Sequence, residues 1–388
     1  MVRRRNVLTE GRGPAADFLA RAYKAYYFRH VESVEVPEEI GDREFGYLNF
    51  DDAMVRHLTF PNEGELKAMM VRESPRSAYC SVAYYDAPEL PMEEKGYRKA
   101  DLAFDIDSGD LNLPCTTEHD FSLCGNCGRP FRTGGESCPL CGSVNVSSVH
   151  LACEKCLTGA KEEAIKLVNV LQLDFGVAPG EIRAYFSGNR GYHLSVVGSK
   201  YENLDQRGRS EMVEYMAGRG LTARQLGLMP RRSVVELVSK VPSPEEPGWR
   251  GRVAAALEET EGTGTREALA KAFTEQPERM EGLVKEAVDR ISVKLDAGVT
   301  IDTHRVFRMG QTLHDKSGLL KKRYWDLDSA DPLVDAVAFG SEPVRVQVTH
   351  SPRFWLLGSS LGPYEKASVE LPTYGAVYLM AKGLAEPS

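Results

Sequence analysis

Alternating apolar and acidic positions are the clearest pattern in this sequence, and they predict a β-strand within residues 99–107. The alternation divides the side chains between two faces: Leu102, Phe104 and Ile106 on one, Asp105 and Asp107 on the other. Two carboxylates on one strand face repel each other, and a divalent metal ion is the usual compensation. The pair suits one Mg²⁺ or Mn²⁺ ion, or two ions roughly 4 Å apart as in phosphoryl-transfer sites. The alternative is a strand that runs into a solvated acidic turn, since Asp101 and Asp110 lie nearby.

The same periodicity predicts a mixture of helices and strands along the rest of the chain. Helices are predicted at residues 14–30 and 62–72, and in a segment that Thr158 caps and that ends near Gly176. Strands are predicted at residues 43–47, 54–60, 78–85, 182–186, 192–197, 299–302 and 344–348. Residues 205–290 lose the strand pattern and are highly charged, which indicates a helical insertion. The predicted fold class is therefore α/β, of the α+β kind, with a mixed sheet and a mainly helical subdomain.

Composition narrows the class of protein further. The chain has 388 residues and a formal net charge of −8, which allows two or more domains and argues against a general coat of positive charge. Residues 1–5 are basic but no apolar region follows them, and no run approaches the roughly 18 apolar residues of a membrane span. We therefore expect no signal peptide, no membrane contact and a cytoplasmic location.

Seven of the eight cysteines fall between Cys115 and Cys156, which favours metal binding in a reducing compartment over disulfides. Two pairs with CxxC spacing, separated by ten residues, fit one tetrahedral Zn²⁺ ion: Cys124, Cys127, Cys138 and Cys141. The alternative, free thiols in a loop, leaves this polar segment with little to fold around. A third pair, Cys153 and Cys156, requires two further ligands, and Cys115 with His119 would complete a second structural zinc site. His150 is a rival for the histidine position.

A polar turn between two predicted strands is the next candidate for chemistry. Its glycines allow a ligand to approach the backbone, and Ser187, Arg190 and His193 can converge as a hydroxyl, a guanidinium and an imidazole suited to phosphate oxygens. The alternative is an ordinary hairpin with a polar tip.

Near the C-terminus, Asp302 ends a predicted apolar strand and could complete a carboxylate triad with the first two aspartates. A basic cluster follows it directly: Arg305, Arg308, His314 and Lys316. Carboxylates for metals beside cations for phosphates are what a metal–triphosphate site needs, although charge runs are often only solvated helix faces.

These motifs, in this order, resemble those of one family. The chain is similar to the catalytic small subunit of the archaeal and eukaryotic type of replicative DNA primase. The resemblance rests on the acidic strand at residues 102–107, the turn at 185–193 and the segment from Val299 to Gly318, and it covers most of residues 14–200 and 295–325.

The resemblance implies a catalytic core at residues 1–204 and 291–388, a zinc segment at 115–156 and a helical insertion at 205–290. By position, Asp105, Asp107 and Asp302 would hold catalytic Mg²⁺ or Mn²⁺. Contacts to the nucleotide would come from Arg56, Ser187, Arg190, His193, Arg308, His314 and Lys316. The family zinc pattern points to Cys115, His119, Cys153 and Cys156, which decides for His119 over His150.

This sequence departs from the family pattern in two places. Residues 122–143 resemble an extra zinc ribbon lodged between the halves of the family zinc site. Asn189 also stands where eukaryotic relatives have a basic residue, which removes one expected phosphate contact.

The function that the resemblance implies is primer synthesis from nucleoside triphosphates on single-stranded DNA, without a pre-existing primer. An iron–sulfur-bearing large subunit is the expected partner, in the nucleoid of an archaeal-type cell. The competing interpretations are a primase-polymerase of the end-joining kind and a non-catalytic zinc-ribbon module that binds nucleic acid. Two-metal nuclease chemistry also fits three carboxylates, but the cations beside Asp302 favour a triphosphate substrate.

Overall fold

A computed structural model describes residues 12–132, 134–228, 234–262 and 265–388, so the basic residues 1–5 lie outside the described part of the chain. The helices are α1 (Pro14–His30), α2 (Glu63–Glu73), α3 (Thr116–His119), α4 (Glu154–Leu173), α5 (Gln206–Met216), α6 (Val234–Val238), α7 (Gly248–Glu261), α8 (Arg266–Glu275), α9 (Pro277–Ile291), α10 (Ala297–Ile301), α11 (Pro332–Asp335) and α12 (Thr373–Ala381). The strands before residue 200 are β1 (Phe45–Leu48), β2 (Met54–Leu58), β3 (Ser77–Ser81), β4 (Ala83–Tyr85), β5 (Tyr97–Ala100), β6 (Leu102–Asp107), β7 (Asp120–Cys124), β8 (Pro130–Phe131), β9 (Val146–His150), β10 (Ile182–Phe186) and β11 (Gly191–Val196). The later strands are β12 (Val306–Arg308), β13 (Arg323–Tyr324), β14 (Pro343–Ser351), β15 (Phe354–Leu356), β16 (Ser359–Leu361), β17 (Tyr364–Pro372) and β18 (Ala385–Pro387).

Two four-stranded antiparallel sheets form the centre of the molecule. One has the strand order β12-β3-β1-β2 and the other β13-β10-β11-β6, so the acidic strand β6 lies at a sheet edge. Smaller sheets are built from β17-β14-β18 and, around the cysteine-rich segment, from β8-β7-β9. The predicted α/β architecture, of the α+β kind, is confirmed, but the predicted mixed sheet is wrong because the strand pairs of both central sheets are antiparallel. Within the described residues, no helix is long and apolar enough to cross a membrane.

The main hydrophobic core holds β6 in place. Its apolar residues Leu102, Phe104 and Ile106 are fully buried, and α4 covers β6 and β11 with a face that includes Leu167 and Leu171. Truncation of a buried phenylalanine in such a core costs about 3–5 kcal/mol of stability. The opposite face of β6 therefore presents its two aspartates from a rigid support, as the alternation predicts.

A second hydrophobic core lies within the helical region. It is formed by Ala223, Leu226, Leu228, Leu237, Val241, Trp249, Val253, Ala256, Leu257, Leu269, Ala270, Phe273, Met280, Val284, Ala287 and Val288. Helix α5 packs instead on the main core through Met212 and Met216. The Val293 amide donates to the Met216 carbonyl at 3.1 Å, so the chain leaves the main core and returns to it at neighbouring points. The predicted division into a catalytic core and a helical insertion stays a prediction.

Two predicted element boundaries are wrong. The helix that Thr158 was expected to cap begins earlier, at Glu154, because the Cys153 thiol at the N-cap accepts a hydrogen bond from the Cys156 amide at 3.4 Å. The predicted strand at 78–85 is broken at Val82, whose amide and carbonyl bond to Arg305 and Asp101 outside either strand.

The predicted strand at 299–302 is also wrong, because this segment is the short helix α10. Its N-cap Asp296 accepts a hydrogen bond from the Gly298 amide at 2.8 Å, and Asp302 follows as the C-cap.

The alternative of a solvated acidic turn fails for Asp101, which is 5 % exposed and pairs with Arg43 at 2.7 Å.

Candidate active site and zinc clusters

The register between β6 and β11 brings the acidic strand against the polar turn. His193 lies opposite Asp105 and Gly191 lies opposite Asp107. Only glycine fits at position 191, because a Cβ atom there would collide with the Ile106 carbonyl oxygen. The acidic strand and the polar turn, which are far apart in sequence, thus form one surface at the edge of the sheet.

The carboxyl group of Asp105 is electrostatically perturbed in the folded chain. Burial raises its pKa to about 6, and the negative charges of Asp107 and Asp296 add to the shift. The Asp296 amide also donates to the Asp105 carbonyl at 2.9 Å, which fixes α10 against β6. An uncompensated negative potential of this kind is what a divalent cation relieves.

The three carboxylates that are predicted to bind metal do not form one compact group in the structure. In the part of the chain that the structure describes, Asp105, Asp107 and Asp302 are not a group whose oxygens all lie within 4.8 Å of one another. Asp107 instead pairs with Arg190 at 2.7 Å, and Asp302 accepts a hydrogen bond from the His304 amide at 2.9 Å.

His193 supplies an uncharged imidazole, 12 % exposed, beside the carboxylates. Burial, with the positive charges of Lys321 and Arg308, lowers its pKa well below the usual value. Its Nε2 atom lies 3.4 Å from Asp105 Oδ1, and the ring stacks on Phe307 with centroids 4.3 Å apart. Its Nδ1 atom is buried without a hydrogen-bond partner, which leaves one polar group for a ligand.

The Ser187 hydroxyl closes the turn by accepting hydrogen bonds from the Asn189 and Gly191 amides at 3.4 and 3.3 Å. Gly188 has a φ of +92°, and a Cβ atom there would lie 2.9 Å from His314 Cβ. The Ser317 hydroxyl donates to the Gly188 carbonyl. The turn is therefore packed directly against the segment that contains His314 and Ser317.

The predicted basic cluster is not a helix face, and it is solvated only in part: Arg305 is exposed, whereas Arg308 and His314 are not. Arg308 lies on β12, donates to Ser77 and pairs with Asp315 at 3.5 Å, and its Nε atom is buried without a partner. His314 is buried, and burial together with the charge of Arg308 lowers its pKa well below the usual value. Lys316 is exposed.

Arg56 on β2 is paired with a buried carboxylate. Its Nε atom donates to Glu44 Oε1 at 2.9 Å, and its side chain is 34 % exposed while that of Glu44 is fully buried. The placement of Arg56 in the nucleotide pocket stays a prediction.

Several residues at this surface were missed by the sequence analysis: Asp296, Asp120, Lys321 and Lys382. Lys321 is 3 % exposed, donates to the Arg308 carbonyl at 2.6 Å and lies 4.5 Å from the ring centroids of Tyr185 and Phe307. Burial lowers its pKa to about 7.

Two cysteine-rich groups have the geometry of zinc sites. The ligand atoms of Cys115, His119, Cys153 and Cys156 lie within 4.8 Å of one another, as do those of Cys124, Cys127, Cys138 and Cys141. Sulfur–sulfur distances of 3.4 to 3.8 Å and a thiolate-rich donor set fit tetrahedral Zn²⁺. Both groups could therefore hold zinc, and His150 belongs to neither.

Asp120 links the first candidate zinc cluster to the candidate active site. It accepts from His119 Nδ1 and His150 Nδ1, each at 2.8 Å, and its Oδ2 atom lies 3.7 Å from Arg190 Nη1. The guanidinium that pairs with Asp107 is therefore braced by a residue that also orients a candidate zinc ligand.

Paired carboxylates at a sheet edge, opposite a polar turn that carries Arg190, fit a metal-dependent enzyme of the nucleotidyl- or phosphoryl-transferring class. Comparison with known proteins agrees: the family model described as DNA primase small subunit matches residues 143–324. The chain is 37 % identical over 369 residues to the DNA primase small subunit PriS of Cenarchaeum symbiosum, covering 95 % of this chain and 97 % of that protein. It is 35 % identical over 375 residues to that of Nitrosopumilus maritimus and 30 % identical over 376 residues to that of Archaeoglobus fulgidus, with 97 % of each relative covered.

This chain belongs to the DNA primase small subunit family. The expected activity, that of a DNA-dependent nucleotidyltransferase, is thereby confirmed at the level of the enzyme class.

Proposed function

We propose that the surface between β6 and the turn at residues 187–191 is the nucleotidyl-transfer site of this primase subunit. The observation that carries the proposal is the β6–β11 register, which sets Asp105 and Asp107 opposite His193 and Gly191. Unpartnered buried nitrogens at His193 Nδ1 and Arg308 Nε add polar groups that a bound substrate would satisfy.

Asp105, Asp107 and Asp302 would hold Mg²⁺ or Mn²⁺, because hard carboxylate oxygens suit these ions and a bound cation would relieve the burial and the repulsion from Asp107 that raise the pKa of Asp105. The bound ions would lower the pKa of the attacking 3′-hydroxyl and neutralise the pyrophosphate leaving group.

The cationic side chains have a separate task in this proposal. Arg190, Arg308 and Lys316 would bind the triphosphate and stabilise the charge that develops on it. Arg190 pairs with Asp107 in the structure at 2.7 Å, so nucleotide binding would transfer its guanidinium from the carboxylate to the phosphates and free Asp107 as a ligand. His193 and His314, kept neutral by burial, would act as hydrogen-bonding groups without adding charge. Ser187 would shape the turn, and Arg56 would join the pocket from β2.

The partners follow from the name that the relatives carry. A small subunit implies a large one, and primer synthesis requires single-stranded DNA and nucleoside triphosphates. We propose that the partner is the iron–sulfur-bearing large subunit and that the pair acts as a heterodimer. It would help to hold the second nucleotide that unprimed initiation requires. Zinc would be structural in both cysteine-rich groups, because each supplies four protein ligands.

Metal-dependent extension of a primed template tests the assignment of the carboxylates. The Asp105→Asn/Asp107→Asn protein should lose at least about 1,000-fold in nucleotide addition while it keeps its zinc and its fold. Asp17→Asn, the same change at an exposed aspartate on α1, should stay near wild type. Retained extension by the double variant would contradict the proposed site.

A further inference from the structure

Asn189 occupies the position in the turn where a basic residue was expected, yet the turn does not lack a cation there. The side-chain amide oxygen of Asn189 accepts a hydrogen bond from Lys382 Nζ at 2.7 Å. The two residues are 193 positions apart, so no local motif connects them.

Lys382 is placed by the C-terminal helix. Helix α12 ends at Ala381 with Lys382 as its C-cap, and the helix is buried from Tyr374 to Met380. The ammonium also lies 5.4 Å from the centre of the Tyr378 ring. A buried helix fixes the origin of the side chain, and the amide of Asn189 then fixes the position of its tip.

The ammonium enters a group of cations at the candidate triphosphate site. Burial lowers the pKa of Lys382 to about 7, and the positive charges of Arg190 and Lys316 contribute to the shift. The nearby carboxylates, Asp120 and Asp315, are already engaged by His119 and His150 and by Arg308. Positive charge therefore exceeds its compensation at this point, which favours an anionic ligand.

Lys382 also lies where the two proposed phosphate-binding segments meet. The Ser317 hydroxyl donates to the Gly188 carbonyl and joins the segment after His314 to the turn that contains Asn189. Because Asn189 directly follows Gly188, the ammonium that it holds lies beside this junction.

We propose that Lys382 is a substrate-binding residue that contacts the phosphates of the incoming nucleoside triphosphate, in place of the basic side chain absent at Asn189. This inference rests on the proposed function of the same site. A lysine suits the role as a compact point charge, and the Asn189 amide would hold the ammonium until the phosphates replace that hydrogen bond.

The test is the kinetics of primed extension by Lys382→Met in the full chain. Loss of one charge-assisted phosphate contact should raise KM for the nucleotide roughly 10- to 100-fold and lower kcat much less. The constant for inhibition by inorganic pyrophosphate should rise in parallel, while binding of a nucleoside monophosphate changes little. Lys382→Arg should keep most of the affinity. Lys24→Met, at an exposed lysine on α1, provides the matched control.

Rescue separates a binding role from a structural one. If Lys382 supplies the charge that Asn189 lacks, Asn189→Arg added to Lys382→Met should recover most of the lost affinity. An unchanged KM in Lys382→Met, or a lower melting temperature with unchanged KM, would overturn the inference. Wild-type protein that adds no nucleotide to a primed template would instead refute the proposed function itself.

Discussion

At the residue scale, Asp105 shows how a functional position is kept at a cost to stability. Its pKa in the folded chain is about 6 against an ordinary value of 3.8, so the folded state binds a proton more tightly than the unfolded state. Ionisation of Asp105 therefore destabilises the folded state. This destabilisation is absent below pH 3.8, grows as the pH rises from 3.8 to about 6, and is complete above about pH 6.

Asp105→Asn should consequently stabilise the metal-free protein by about 1–3 kcal/mol at neutral pH and by little near pH 4. Urea unfolding at the two pH values, with chelator present, measures the difference. Added Mn²⁺ should stabilise wild type and leave the variant unaffected. Equal stability of the two proteins at both pH values would show that the ionised Asp105 carboxylate does not destabilise the fold.

The choice between His119 and His150 is also a residue-scale question. His119 Nε2 lies 3.3 Å from Cys156 Sγ, whereas His150 only shares Asp120 with it. His119→Gln should therefore lose one of two bound zinc ions, and His150→Gln should retain both, as measured by metal analysis of the purified proteins. Loss of zinc from His150→Gln alone would reverse the assignment.

The sequence could predict those site residues whose position follows from local periodicity. Asp105 and Asp107 alternate with core residues along a strand, and the CxxC spacing of the cysteines is visible in the sequence itself. Lys382 and Asp120 could not be found in this way, because their partners are brought to them by α12 packing and by β7 pairing. Their function depends on tertiary contacts that no window of sequence contains.

At the element scale, the predicted strands and helices with strong patterns are present, and the errors occur at short segments. Residues 299–302 are apolar enough for a strand, but Asp296 caps a single helical turn that docks on β6 and α5. The start of α4 was missed because a cysteine, not a hydroxyl or carboxylate side chain, accepts the N-cap hydrogen bond. In both cases a side-chain cap outweighs propensity.

At the scale of the whole molecule, the helical region has its own hydrophobic core and leaves and rejoins the main core at adjacent points, Met216 and Val293. Polar links to the rest include the Trp249–Tyr215 hydrogen bond of 2.9 Å, the Arg252–Asp174 ion pair of 2.5 Å and the hydrogen bond from Lys166 Nζ to the Arg290 carbonyl at 2.9 Å. These features support the predicted division of the chain into a catalytic core and a helical insertion.

Replacement of residues 220–290 by a short Gly/Ser linker should therefore leave the core folded. The deletion should carry Asp174→Asn, because the carboxylate is 6 % exposed and would lose Arg252. We expect the rate of primed extension to stay within about threefold of wild type, which corresponds to less than about 1 kcal/mol in the activation free energy. We expect the affinity for the template to fall. A deletion protein that folds but has lost nucleotide addition would place catalytic groups in the helical region.

The central claim is that this chain starts primers with the carboxylates of β6. Its most direct test is synthesis on single-stranded DNA with labelled nucleoside triphosphates and Mg²⁺ or Mn²⁺, without a primer, with and without the large subunit. We predict unprimed products from wild type that disappear in the Asp105→Asn/Asp107→Asn protein. Unprimed products that persist in that variant, or their absence from wild type even with the large subunit present, would contradict the account.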